Sequence, residues 1–190
     1  MFDWRYWLIV AVWVVWEAYW TVAALGTKRA TRKEALLTRI PVVVGIVLAA
    51  ALLLAPDWFG SFMDRSFTAQ SDATYIPGLL LALAGIGFAF WARNTLGSNW
   101  SGRVTIKEDH ELVTRGPYSL VRHPIYTGAL LGFSGSALAL GHVGGLFSVA
   151  IMLGIFTHKI RLEERVMGKH FGDRYTEYRR KTKALLPFFI

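Results

Sequence analysis

Residues 4–25 form a stretch of 22 residues in which only Arg5, Glu17 and Thr21 interrupt an apolar run. At a helical rise of about 1.5 Å per residue, such a stretch crosses a hydrocarbon layer of roughly 30 Å. Four further apolar runs follow, at 40–55, 75–92, 125–140 and 145–158. Pro56 and Asp57 end the first of these, and Arg93 and Asn94 end the second. The last two are separated only by Gly141-His142-Val143-Gly144, which predicts a tight helical hairpin. A secretory signal carries its basic residues ahead of a shorter apolar core. Here Lys28, Arg29, Arg32, Lys33 and Arg39 come after the first run, so it reads as an uncleaved span. Composition agrees, with 54% of residues hydrophobic and 18% charged, where soluble domains carry about 25% charge. The pattern predicts an all-α integral membrane protein of about five transmembrane helices. Residues 1–74 form an N-terminal two-span region, and 75–190 carry the chemistry.

The formal charge of +8 first suggests nucleic acid, and its distribution removes that suggestion. Segments 26–39, 93–124 and 159–190 hold 5, 5 and 9 Lys and Arg residues, 19 of the 21 in the chain. All three lie on one side of a five-span topology, as the positive-inside rule requires. Anionic headgroups then account for the charge, and no nucleic-acid partner is expected. The expected orientation has the N-terminus outside and the C-terminus in the cytosol, in the inner membrane if the cell is prokaryotic. The sequence contains no cysteine, which excludes a disulfide framework, a Cys-ligated metal and a thiol nucleophile.

Ionisable and aromatic residues gather on the basic side. The loop 93–124 carries His110-Glu111-Leu112-Val113, Gly116-Pro117-Tyr118 and Arg122-His123-Pro124-Ile125-Tyr126. The tail 159–190 carries Lys159, Arg161, Glu163, Glu164 and Phe171-Gly172-Asp173-Arg174-Tyr175, then Tyr178. In an antiparallel hairpin, the start of the fourth span and the end of the fifth share a membrane face. Arg122, His123 and Tyr126 are therefore expected beside Lys159, Glu163 and Glu164, a mouth suited to a zwitterionic or cationic small molecule. Taken singly, the pieces have plainer readings: Arg122 and Lys159 as interfacial anchors, Glu163 and Glu164 as partners of Arg161 and Arg165, and Pro124 as a helix start. Gly128 and Gly132 read as a helix-packing pair. Gly85-Ile86-Gly87 lies inside an apolar span and is no dinucleotide fingerprint. Glu17 is an acid at membrane depth, where a structural hydrogen bond and a functional role are both open. His110, His123 and His158 lack metal-ligand spacing, so no metal site is expected.

In order and spacing, Gly116-Pro117-Tyr118, Arg122-His123-Pro124-x-Tyr126-x-Gly128, a hairpin, Glu163-Glu164 and Phe171-Gly172-x-x-Tyr175-x-x-Tyr178 resemble the isoprenylcysteine carboxyl methyltransferase family. The wider group also includes membrane phospholipid methyltransferases. The resemblance covers about residues 90–190. It implies a multi-span enzyme that takes S-adenosylmethionine (SAM) without a Rossmann domain, the cytosolic loop and C-terminal tail capping the cofactor pocket. Carried over residue by residue, the SAM contacts would be His110, Glu111, Leu112, Val113, Tyr118, His123, Pro124, Ile125, Tyr126 and Glu163, with Glu164 beside them. The family commonly has an Arg one turn before that Glu, assigned to the substrate. Here Lys159 stands there, with Arg161 two residues on, and Arg122 is a third candidate for the substrate-side cation. The resemblance further implies a lipophilic acceptor entering from the bilayer. A carboxylate acceptor is already ionised and needs no base. A phospholipid amine would need one, with Glu163, Glu164 or His123 as candidates. A membrane accessory protein that kept the fold without catalysis is the reading from outside enzymes.

Overall fold

The computed structural model describes residues 3–25, 36–100 and 111–185. Six helices follow one another: α1 (Trp4–Ala24), α2 (Leu36–Leu54), α3 (Asp72–Leu96), α4 (Pro124–Leu140), α5 (Val143–Phe171) and α6 (Asp173–Lys181). Short 3-10 turns lie at Pro56–Phe59, Gly97–Asn99 and Gly116–Ser119. Among the described residues there is no strand, only two isolated bridges. Helices α1, α3 and α5 are long and apolar enough to cross a membrane, and Ile40–Leu54 and Pro124–Leu140 are shorter apolar helices. The protein is thus all-helical and integral to a membrane.

The closest helix pair is α3 with α4. Gly78, Ala82, Gly85 and Ala89 on α3 face Gly128, Gly135 and Ala139 on α4. A Cβ added at Gly85 would lie 2.6 Å from the Gly128 carbonyl oxygen and 2.7 Å from the Gly132 nitrogen. Backbones this close exclude side chains, and small residues at such crossings are how helices associate where lipid removes the hydrophobic drive. Gly128 is therefore a packing glycine, as its spacing suggests. Gly132 has ordinary room, its nearest neighbour being the Trp13 ring at 3.4 Å. Gly87, two residues beyond Gly85, has nothing within 4 Å.

The hairpin α4–α5 turns at Gly141, whose φ of +71° is the left-handed conformation that glycine adopts most freely. A loop from the α2–α3 connection clasps this turn: Phe67 N donates to Gly141 O (2.8 Å) and Val143 N to Arg65 O (2.9 Å). At the other end Pro124 opens α4, where its missing N–H costs nothing. Helix α5 does not stop with the apolar run at His158 but continues to Phe171. The stretch Lys159-Ile160-Arg161-Leu162-Glu163-Glu164-Arg165-Val166-Met167 contains no proline and is rich in good helix formers. The solvent changes at His158; the secondary structure does not. Gly172, at φ +55°, then breaks the helix and starts α6.

Candidate active site

The end of α3, the start of α4, the distal half of α5 and helix α6 meet at one end of the bundle. Between them lies a cleft of about 940 Å³, measured out to open solvent. Glu111, Leu112, Val113, Tyr118, Arg122, His123, Ile125, Tyr126 and Glu163 line it. Its remaining walls are Leu96, Asn99, Trp100, Val166, Met167, Tyr175 and Tyr178.

His123 sits at the entrance to α4, between two carboxylates. Its Nδ1 is 3.4 Å from Glu163 and its Nε2 is 3.5 Å from Glu164. The Tyr126 hydroxyl donates to Glu163 at 2.5 Å. One helical turn separates His123 from Tyr126, so the two rings stack with 9° between their planes, and Tyr126 stacks in turn on Phe156. Lys159 lies one turn before Glu163 on α5, and its Nζ is 5.5 Å from the centre of the Tyr126 ring.

Burial alone would lower the His123 pKa, but the facing carboxylates of Glu163 and Glu164 more than offset this and raise it above the usual histidine value. Burial would raise Glu163, yet His123, the Tyr126 hydroxyl and Lys159 together hold it below the ordinary carboxylate value. Glu164 goes further: against the same burial, His123 and Arg122 hold it down to about 2. The geometry therefore holds the His123 ring between two carboxylates. Burial pushes the Tyr178 phenol up to about 12 and raises Tyr118 and Tyr175 as well, so all three remain protonated donors.

Of the residues expected at the site, His110 lies outside the described residues. Pro124 is buried as the first residue of α4, behind the cleft wall. Arg161 points outward and is exposed. Arg122 turns to Glu164 at 2.7 Å. Among the far walls, Asn99, Trp100, Val166 and Met167 are not singled out by the sequence reading. Val166 and Met167 follow Glu163 at three and four positions, on one helix face; continuing the helical spacing past His158 would have found them. Asn99 and Trp100 lie in the turn after α3. Arg93 is a residue the sequence presents as a span-end anchor, yet it is 5% exposed. Its guanidinium donates to Ala23 O and Gly97 O and lies 4.5 Å from the centre of the Trp100 ring. It ties the end of α1 to the turn that carries Asn99 and Trp100 into the cleft.

Fold and site together define an all-helical integral membrane protein with a cleft at the mouth of a helical hairpin. Residues 73–174 match the phospholipid methyltransferase family, and the chain belongs to it. It is 32% identical to the cobalt-zinc-cadmium resistance protein CzcN of Cupriavidus metallidurans, over 77% of this chain and 61% of that one. It is 36% identical to the protein-S-isoprenylcysteine O-methyltransferase of Schizosaccharomyces pombe, over 48% of this chain and 40% of that one. The chain thus spans less than two thirds of the length of either relative. The structure of a eukaryotic intramembrane Ras methyltransferase, isoprenylcysteine carboxyl methyltransferase, shares the fold with a TM-score of 0.58. The identity is 23%, and the match covers 83% of this chain and 55% of that one. The resemblance carried by the loop and tail motifs is borne out by these relatives.

Proposed function

We propose that the protein is a SAM-dependent methyltransferase that esterifies the carboxylate of an isoprenylcysteine-type lipophile. The observation that carries this reading is the charge state of the cleft wall. Transfer to an amine requires a base to take the ammonium proton, whose pKa is about 10. Glu163 and Glu164 are held below the ordinary carboxylate value, which weakens both as acceptors of that proton. A carboxylate acceptor, ionised above a pKa of about 3.5, asks for no base at all. It asks for a cation. Lys159, which makes no ion pair among the described residues and stands over the Tyr126 ring, is placed to supply it.

The residues also fit SAM, whose bound contribution would be a methyl group on a positively charged sulfonium. Glu163 keeps 23% of its side chain accessible at the cleft wall, where its negative charge would face the cation. Leu96, Val113, Ile125, Val166 and Met167 supply apolar surface for a purine. The side chains act by orientation and by exclusion of water, the levers available to a displacement in which three atoms must line up. The basic bias of segments 26–39, 93–124 and 159–190 supports a cytosolic cleft with the N-terminus outside. An acceptor tail would then reach the cleft sideways from the bilayer.

The test is transfer of label from SAM, by detergent-purified protein, to a farnesylated cysteine with a free carboxylate. A base-labile product is expected, since a methyl ester hydrolyses in base. Transfer only to phosphatidylethanolamine, with a base-stable product, would overturn the carboxylate reading. Within the same assay, Lys159→Ala is expected to raise KM for the acceptor and leave KM for SAM unchanged.

A further inference from the structure

We propose that Arg122 and Glu164 form a latch that pins helix α6 and the strap that follows it beside the cofactor cleft, and that Arg122 is a positioning residue which never touches the acceptor. The inference rests on the SAM reading above and names how that site is closed.

The pair is nearly enclosed, with side-chain exposures of 10% and 13%. Arg122 Nε donates to Glu164 Oε1 at 2.7 Å, while its Nη1 donates to the carbonyl oxygens of Arg179 (3.3 Å) and Thr182. Arg179 Nε approaches the other Glu164 oxygen at 3.5 Å. One guanidinium thus joins the start of α4, the middle of α5 and the end of α6. The strap that follows lies along the chain beside Arg122. Arg122 N donates to Lys183 O (2.8 Å), His123 N to Ala184 O (3.0 Å) and Thr127 Oγ1 to Leu185 O (2.6 Å). The Tyr178 hydroxyl closes the other side by donating to Tyr118 O at 2.6 Å.

Two connections make this latch matter to the cleft. Tyr175 and Tyr178 are cleft walls, and both stand on the helix whose end Arg122 pins. The carboxylate that Arg122 holds also faces His123, whose other nitrogen faces Glu163. Release of the strap therefore removes two walls and frees one of the two carboxylates that orient His123. A guanidinium suits the task because its planar fork serves a carboxylate and carbonyls at once, and lysine offers a single point charge. Removing one partner of an enclosed pair strands the other charge, so opening is costly while both are present.

The test compares Arg122→Ala, Arg122→Lys, Glu164→Ala and the double variant Arg122→Ala with Glu164→Ala, in the whole chain in detergent. Three quantities are read: SAM affinity by equilibrium binding, acceptor KM at saturating SAM, and the rate at which trypsin clips the strap after Arg179, Arg180, Lys181 or Lys183, followed by mass spectrometry. Arg122→Ala is expected to weaken SAM binding and speed strap clipping together, leaving acceptor KM unchanged. Arg122→Lys falls between it and wild type, and the double variant loses less than the sum of the two single variants, a coupling of roughly two- to 150-fold, whereas additive losses refute the proposal. A raised acceptor KM with unchanged SAM affinity and clipping would overturn the latch and make Arg122 an acceptor contact. If Arg122→Ala does not fold, the lysine variant decides alone, and SAM affinity and strap clipping unchanged from wild type refute the proposal. Wild-type protein that binds no SAM would instead sink the functional reading, with strap clipping still reporting on the latch.

Discussion

Gly85→Ala tests whether the catalytic geometry depends on how closely α3 and α4 approach. The added Cβ would lie 2.6 Å from the Gly128 carbonyl oxygen and 2.7 Å from the Gly132 nitrogen, with ordinary contact starting at 3.4 Å. Both neighbours are backbone and have no rotamer to give way. The helices must separate by about 0.8 Å there, and overpacking of this kind costs about 1–3 kcal/mol. For a chain of this size that is a fall in Tm of roughly 2–12 °C. Helix α4 carries His123 and Tyr126, while α3 carries the turn with Asn99 and Trp100, so the separation opens the cleft between its walls. A misplacement of about 1 Å can cost on the order of 100-fold in rate. The control is Gly87→Ala on the same helix, where nothing lies within 4 Å; it removes a helix glycine and is expected to leave both Tm and activity at or above wild type. The assay is Tm in detergent together with kcat/KM for the farnesylated cysteine. Gly85→Ala and Gly87→Ala behaving alike would refute the reasoning.

Other expectations follow from the cleft wall. Tyr126→Phe keeps the stack on His123 and Phe156 but removes a hydrogen bond to a carboxylate, a bond class contributing about 1.5–3 kcal/mol; SAM affinity measured by calorimetry is expected to fall by about tenfold or more. Glu163→Ala is expected to abolish SAM binding while circular dichroism stays helical, and unchanged binding would remove Glu163 from the site. The pH dependence has two limbs. His123 has a raised pKa, so its stabilisation is full below about 6.5 and is lost as pH rises through the folded value. Glu164 is held at about 2, so its share is full above the ordinary value of 4.5 and is lost as pH falls toward 2. Tm is accordingly expected to be highest in mildly acid buffer and to decline on the alkaline side. His123→Gln should flatten that alkaline decline. Arg93→Met is expected to lower Tm and weaken SAM binding together, because it leaves the carbonyls of Ala23 and Gly97 without their donor and Trp100 without its cation.

Hydropathy made the apolar helices legible because it reports which solvent a segment meets. For the same reason it could not show that α5 continues beyond His158, where the solvent changes and the helix does not. The α4–α5 turn was readable from Gly141-His142, since one left-handed residue suffices to reverse the chain. Arg122, His123, Tyr126, Glu163 and Glu164 could be brought to one mouth from topology alone. Which atom meets which could not be read, and Arg122 shows why: an arginine beside acids is equally a ligand contact, a headgroup anchor or a clamp until its hydrogen bonds are seen. Arg93 was hidden more deeply. Its burial depends on the end of α1 arriving from 70 residues away in sequence, a contact no local pattern records.

The unbroken passage of α5 out of the bilayer makes it a ruler. From Lys159, just past the apolar run, to Glu163 is four residues, or ~6 Å of helix. Because one rod carries both marks, this height above the hydrocarbon is set by backbone hydrogen bonds and cannot drift with loop motion. On the proposed reading, an acceptor presents its carboxylate at Lys159, close to the lipid boundary, while the methyl donor beside Glu163 reaches up to one helical turn above it and the acceptor's tail stays below. A fully soluble carboxylate has no anchor to hold it at that height, and a carboxylate carried far from its lipid tail overshoots it. Selection by depth of immersion comes before any contact with the acceptor's own shape.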